Sequence, residues 1–195
     1  PEVVVSVVRY MEAHPNIAVC YAPWDLWDDV TKQSLGLSDP IDKETIFKKI
    51  DSVGLFNFII QKYIFPEIGI YRSNALHNTL YLPHKAYWAF VNLARLINYG
   101  DIAFLPDPFY RFVVKHWEGE TRSHYGYHQA ILEWDLYRGG VEYLFHKAFR
   151  NSGHPTVPED QRDIGRKMID SFVARGMSIA VFHLIKKKDF VSAYD

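Results

Sequence analysis

Apolar residues recur at helical spacing through the opening stretch PEVVVSVVRYMEAHP, where Val4, Val7, Val8 and Met11 share one face and Pro15 stops the run. Pro1 and Glu2 suit a first helical turn. The next stretch, IAVCYA, has no polar side chain, which predicts a strand buried on both faces in a parallel or mixed sheet covered by helices. Pro23 to Pro40 breaks the periodicity and reads as a loop. Ile46, Phe47 and Ile50 then predict a helix over 42–53, with Asp42 as its N-cap and Gly54 as its stop. The apolar LFNFIIQKYIF that follows predicts a second, short, buried helix, with a strand as the other option.

From Phe65 to His116 the pattern becomes denser. EIGIYR alternates as a short strand, and Ser73 is placed to cap the helix SNALHNTL. KAYWAFVNLARLINYG is an amphipathic helix with Tyr87, Phe90, Val91, Ala94 and Ile97 on one stripe and Lys85, Asn92 and Arg95 opposite. Gly100 stands where a C′ glycine ends such a helix. DIAFLP and FYRFVVK predict two strands joined through the turn dipeptide Asp107-Pro108. Beyond Thr121 the texture turns helical, with Tyr127, Ile131, Trp134, Val141, Leu144 and Ala148 on one face and a kink or break at Gly139-Gly140. RNSGHPTVPED is a linker, and from Gln161 helical spacing resumes up to a basic turn at Lys186, Lys187 and Lys188, with the start of another helix after it. The order of elements predicts α/β architecture followed by a helical extension.

Composition narrows the range of functions. At 195 residues, nearly half of them apolar, the chain can bury one sizeable core. Lys and Arg number 22 against 23 Asp and Glu, so the overall balance favours neither nucleic acid nor an acidic membrane as the main partner. Cys20, the single cysteine, lies in the apolar IAVCYA and reads as a small buried hydrophobe in a reducing, cytoplasmic setting. No uninterrupted apolar run reaches the ~20 residues of a membrane span, which predicts a soluble chain. Tyr, Phe and Trp number 13, 13 and 5, and such rings supply core area or stack on sugars and bases.

Several residues are candidates for chemistry. Trp24, Asp25, Trp27, Asp28 and Asp29 crowd the 23–40 stretch, where carboxylates between indoles can hold a cation or sugar hydroxyls, or simply form a solvated acidic turn. Arg72 and Arg111 can clamp a phosphate or form surface ion pairs. Trp88 can stack on a sugar or pack its helix. His116, His124 and His128 offer three imidazoles to zinc, though without the Glu of a metalloprotease motif.

The order of pieces resembles the second half of the catalytic domain of family 2 glycosyltransferases, over residues 1–121. HPNIAVCYA is similar to the family's strand after the metal motif, EIGIYRSNAL to its acceptor-site corner, and NYGDIAFLPDPFY to its closing passage. His116 with Thr121 is similar to the late Arg-x-His loop, although Val114 stands where Arg is usual. The resemblance implies a partial GT-A mixed sheet, with an α-helical C-terminal extension over 122–195. It implies transfer of a sugar from a nucleotide-sugar donor to a saccharide or lipid-linked acceptor in polysaccharide biosynthesis. The metal, Mn²⁺ or Mg²⁺, would be held by an Asp-x-Asp motif in a preceding half that these residues lack. The family's base, an acid at the head of the acceptor-side helix, is replaced by Pro83, His84 and Lys85. Glu67 and His84 are therefore the candidate catalytic residues, with Trp24, Asp25, Arg72, Trp88 and His116 as substrate-binding candidates. The surface that the other half would cover suggests a homo-oligomer. A non-catalytic helical interaction module is the rival reading.

Overall fold

The computed structural model describes residues 2–80, 86–115, 132–191 and 193. Helix α1 (Glu2–Ala13) leads into strand β1 (Ile17–Tyr21), whose five residues are all buried. β1 is central because both its edges are paired. It runs parallel to β6 (Asp101–Phe104) and antiparallel to β5 (Gly69–Tyr71), and β4 (Thr45–Phe47) completes the order β4-β6-β1-β5. The expected mixed sheet is present, and the chain is a mixed α/β protein.

Side chains of this sheet alternate between two apolar clusters, as the strand pleat requires. Val7, Met11, Ile17, Cys20 and Ala103 lie between α1 and one face. On the other face Val19, Ile102 and Phe104 join α2 (Ser52–Lys62), α4 (Trp88–Leu96), α5 (Trp134–Asn151) and α6 (Glu159–Lys186) through Phe56, Ile59, Phe90, Leu144, Phe145 and Phe172. Helices of the C-terminal stretch thus share one core with the sheet. A short helix, α3 (Ser73–Thr79), packs beside α4.

Five local expectations need correction. The 23–40 stretch is a hairpin of β2 (Trp24–Asp28) and β3 (Gln33–Leu37), to which β7 (Tyr110–Lys115) adds in parallel, giving a second sheet ordered β3-β2-β7. The third strand, β7, lies more than eighty residues away from β2, so no local period reveals this sheet. The turn itself is made by Asp28, whose carboxylate accepts the amides of Val30 and Thr31 at 2.9 and 3.1 Å, with Lys32 left-handed at φ 59°.

Residues 42–53 do not form a helix capped at Asp42. Thr45–Phe47 is an edge strand on β6, a 3-10 turn spans Lys49–Asp51, and Gly54 sits inside α2. Asp42 instead lies near Lys62, at 3.6 Å. Gly139-Gly140 neither kinks nor breaks α5, which runs unbroken. Gly140 is there for contact: a Cβ would stand 2.9 Å from the backbone N and O of Tyr87. Gly100 likewise serves close approach, since a Cβ would meet the Asn16 carbonyl at 2.4 Å, while α4 already ends at Leu96. On α1 only Val7 and Met11 are buried, and Val3, Val4, Val5 and Val8 face outward.

Candidate functional site

The polypeptide leaves β1 and β6 at the same edge of the sheet, because the two strands are parallel. In α/β sheets such carboxyl ends form the crevice where ligands bind. Here a cavity of about 70 Å³ opens at that edge. Tyr21, Ala22 and Phe104 form its floor, Pro23, Trp24, Ser38, Asp39 and Ile41 the hairpin wall, and Ile64, Phe65, Pro66 and Ile68 the opposite wall. This is well below the ~300–1,000 Å³ of pockets that enclose a drug-sized molecule, so it takes only part of a ligand.

The walls are held firmly. The amide of Trp24 donates to Ser38 Oγ at 2.8 Å, and the Ser38 amide returns a bond to the Trp24 carbonyl at 2.9 Å, which pins the hairpin base beside the cavity. Trp24 packs at 5.4 Å on Phe112 and edge-on at 6.1 Å to Tyr110, so its indole is fixed by the neighbouring strand β7. Tyr21 stacks on Phe104 at 5.5 Å and meets the Tyr71 hydroxyl at 3.5 Å. Asp39, left-handed at φ 36°, presents the acid on the cavity wall. Burial pushes its carboxyl above the ordinary range, and the charge of Arg175 on α6 pulls it partly back.

Glu67 stands between the lining residues Pro66 and Ile68 without itself lining the cavity. Its Oε1 accepts a short hydrogen bond from the hydroxyl of Tyr87, the residue immediately before α4. Tyr87 stacks at 4.4 Å on Tyr137 of α5, and its amide donates to the Leu136 carbonyl at 2.7 Å. Burial raises the Glu67 carboxyl above its usual value, and the Tyr87 bond opposes that in part. Burial, reinforced by the Glu67 charge, raises both tyrosines as well. A carboxyl displaced upward and held by a neutral phenol is chemically equipped for proton transfer nearer neutrality than an exposed glutamate.

The other sequence candidates scatter. Asp25 accepts from Ser34 Oγ at 2.5 Å and pairs with Arg111 at 2.9 Å, and these bonds, Ser34 first, hold its carboxyl below the usual range. Arg111 also lies 3.7 Å over the Trp27 ring. Asp29 pairs with Lys32 at 2.8 Å. With Asp28 serving the turn, the three carboxylates answer to separate partners. Among the described residues no three His, Cys, Asp or Glu side chains converge on a common metal position.

Arg72 ties β5 to the end of α1. Its guanidinium donates to the carbonyls of Ile17 at 2.7 Å, His14 at 3.2 Å and, through a short bond, Met11. These are carbonyls at and beyond the helix C-terminus, where a cation is also favoured by the helix dipole. Trp88 is half-buried at the start of α4, 6.3 Å from Tyr87. His84, His116, His124 and His128 lie outside the described residues. Cys20 is fully buried, and burial, then the Glu44 charge, pushes its thiol up to about 12.

Two contributors escaped the sequence reading. Asp39 carried only the turn signal of Asp39-Pro40, and nothing local marks Tyr87 as the partner of Glu67, twenty residues before it. The fold and cleft together define a mixed α/β protein with an aromatic, acid-bearing crevice at the carboxyl ends of a parallel strand pair. Comparison of the chain with protein-family profiles, curated proteins and solved structures finds no match.

Proposed function

We propose that the chain forms the acceptor-side wall of an inverting GT-A glycosyltransferase, receiving part of a saccharide in the cleft at the ends of β1 and β6. The observation that carries this reading is the carboxylate of Glu67, bonded to the residue that precedes α4. The resemblance calls for an acid at the head of that helix, and the local sequence around His84 supplies none. Glu67 would bring it from the neighbouring strand corner.

In this reading Trp24 stacks on the apolar face of a sugar ring and Asp39 accepts hydrogen bonds from its hydroxyls. The ionised Glu67 takes the proton of the acceptor hydroxyl as that oxygen attacks the anomeric carbon. The bond to the nucleoside diphosphate breaks, and the leaving group departs with the electron pair. A divalent cation, when bound, would stabilise the charge on the departing diphosphate. The described residues do not offer it a site, and no step here depends on one.

The test is titration of the chain with a panel of neutral and acidic oligosaccharides, followed by NMR and calorimetry. Binding should perturb Tyr21, Trp24 and Phe65, weaken about tenfold or more in Trp24→Ala through lost ring contact, and persist in Glu67→Gln. Absence of any saccharide-dependent shift in a folded chain would sink the proposal.

A further inference from the structure

The C-terminal half of α6 has apolar residues on both a buried and an exposed face. Its inner face is closed, with Ala180 and Leu184 at 0 % exposure. Its outer face presents Ile179, Phe182 and Ile185 at successive three-residue steps, which places them on one stripe, and these are 41, 59 and 47 % exposed. Phe190 and Val191 continue the apolar surface past the helix end at 61 and 75 %. Large apolar side chains exposed together in this way mark an interaction surface.

The charge around the stripe identifies the partner. Between Ile164 and Asp189 the cations are Arg166, Lys167, Arg175, Lys186, Lys187 and Lys188, against Asp170 and Asp189. Asp170 is already bonded to Arg138 at 2.7 Å. The overall net charge of −1 therefore conceals a local excess of cations over 164–189, concentrated in Lys186, Lys187 and Lys188 at the end of the stripe. Lys186 lies over the Phe182 ring at 4.6 Å, so ammonium and ring project together. Toward the N-terminus the same face borders an open groove of about 500 Å³ between α2 and α6, lined by Ile60, Tyr63, Met168 and Phe172 with Lys167 and Arg175. An apolar ridge flanked by lysines, continuous with an apolar groove edged by cations, has the chemistry of an interfacial helix facing acyl chains and anionic headgroups.

We propose that α6 and the turn after it dock the protein on the surface of an anionic bilayer, with Phe182, Ile185 and Phe190 entering the headgroup boundary and Lys186–Lys188 contacting lipid phosphates. By length and composition α6 is also long and apolar enough to cross a membrane. Its other face, through Ile169 and Val173, belongs to the main core, so the helix lies on the membrane without leaving the fold. This docking is independent of the saccharide reading.

The experiment is co-sedimentation of the chain with vesicles of pure phosphatidylcholine and with vesicles in which about a third of the lipid is phosphatidylglycerol. Binding is expected only to the anionic vesicles, and should collapse as salt rises from about 0.1 M to about 1 M, where screening shortens from ~10 to ~3 Å. Lys186→Gln/Lys187→Gln/Lys188→Gln should weaken partitioning roughly 100-fold. Phe182→Ser/Ile185→Ser, with the charges intact, should weaken it by at least about tenfold. Both variants change exposed positions, and unaltered circular dichroism and melting would show that the fold is kept. Equal, salt-resistant binding to neutral vesicles would indicate a spanning helix and overturn the proposal. So would absence of vesicle binding together with a wild-type dimer that Phe182→Ser dissociates, which would assign the face to a second copy of the chain.

Discussion

Gly140 and Gly54 both lie inside helices, so intrinsic propensity predicts the same gain for either on substitution by alanine, about 1 kcal/mol. The structure predicts opposite signs. At Gly54 the new methyl has only the Phe47 ring nearby, at 3.8 Å, an ordinary contact, so the helical gain stands. At Gly140 the methyl would lie 2.9 Å from the backbone of Tyr87, and backbone cannot swing aside. α5 has to move off the head of α4, at a cost of about 1–3 kcal/mol for overpacking. The Tyr87 amide bond to Leu136 weakens with it, for about 1 kcal/mol more. Taking the middle of those ranges, Gly140→Ala loses about 2 kcal/mol net.

For a chain of this size each kcal/mol moves Tm by about 2–4 °C. Thermal melts should therefore rise by about 2–4 °C for Gly54→Ala and fall by about 4–8 °C for Gly140→Ala. Because Tyr87 also holds Glu67, the second variant should alter the NMR environment of the Glu67 carboxyl, which the first should leave alone. A rise in Tm for both variants would refute the idea that close approach of α5 to Tyr87 is what requires glycine.

Glu67→Gln tests the buried carboxyl. Below the unfolded-chain pKa both states keep the proton. As pH rises from there through the raised folded value, the unfolded chain ionises first and stability is lost. The variant escapes that loss, so its Tm should exceed that of the wild type at neutral pH and the two should converge below about pH 4; a less stable variant at pH 7 would contradict the burial argument. Arg72→Lys keeps the charge beside the C-terminus of α1 but not the fork that reaches three carbonyls, and should cost roughly 2–3 kcal/mol in urea unfolding, with faster amide exchange in α1. If stability is unchanged while saccharide titration is impaired, Arg72 belongs to the site and not to the helix end.

Elements with a strong local period were legible in the residues alone. IAVCYA read as a strand buried on both faces, because six consecutive apolar residues bounded by Asn16 and Pro23 leave no face to water. α1, α4, β6 and β7 followed from spacing as elements, although Val4 and Val8 of the expected α1 face stand exposed and Asn92, expected opposite the α4 stripe, is buried. The β2–β3 hairpin did not, because indoles and carboxylates in a polar stretch carry no apolar alternation, and the sheet it belongs to is completed by β7 more than eighty residues away. Thr45–Phe47 did not either, since three residues on a sheet edge carry no period that distinguishes them from a helical turn.

The same division runs through the candidate site. Sequence named Glu67 and Trp24 as residue types suited to proton transfer and to stacking, and the pattern of the chain determined the α/β class. Only the tertiary structure decided that Glu67 meets Tyr87, that Asp39 joins Trp24 at one cleft, and that Asp25, Arg72 and Arg111 serve other partners. The reason is physical. Periodicity records which face of an element is buried, a property of neighbours within a few residues. The company a carboxylate keeps is set by how sheets and helices close on one another, between residues tens of positions apart.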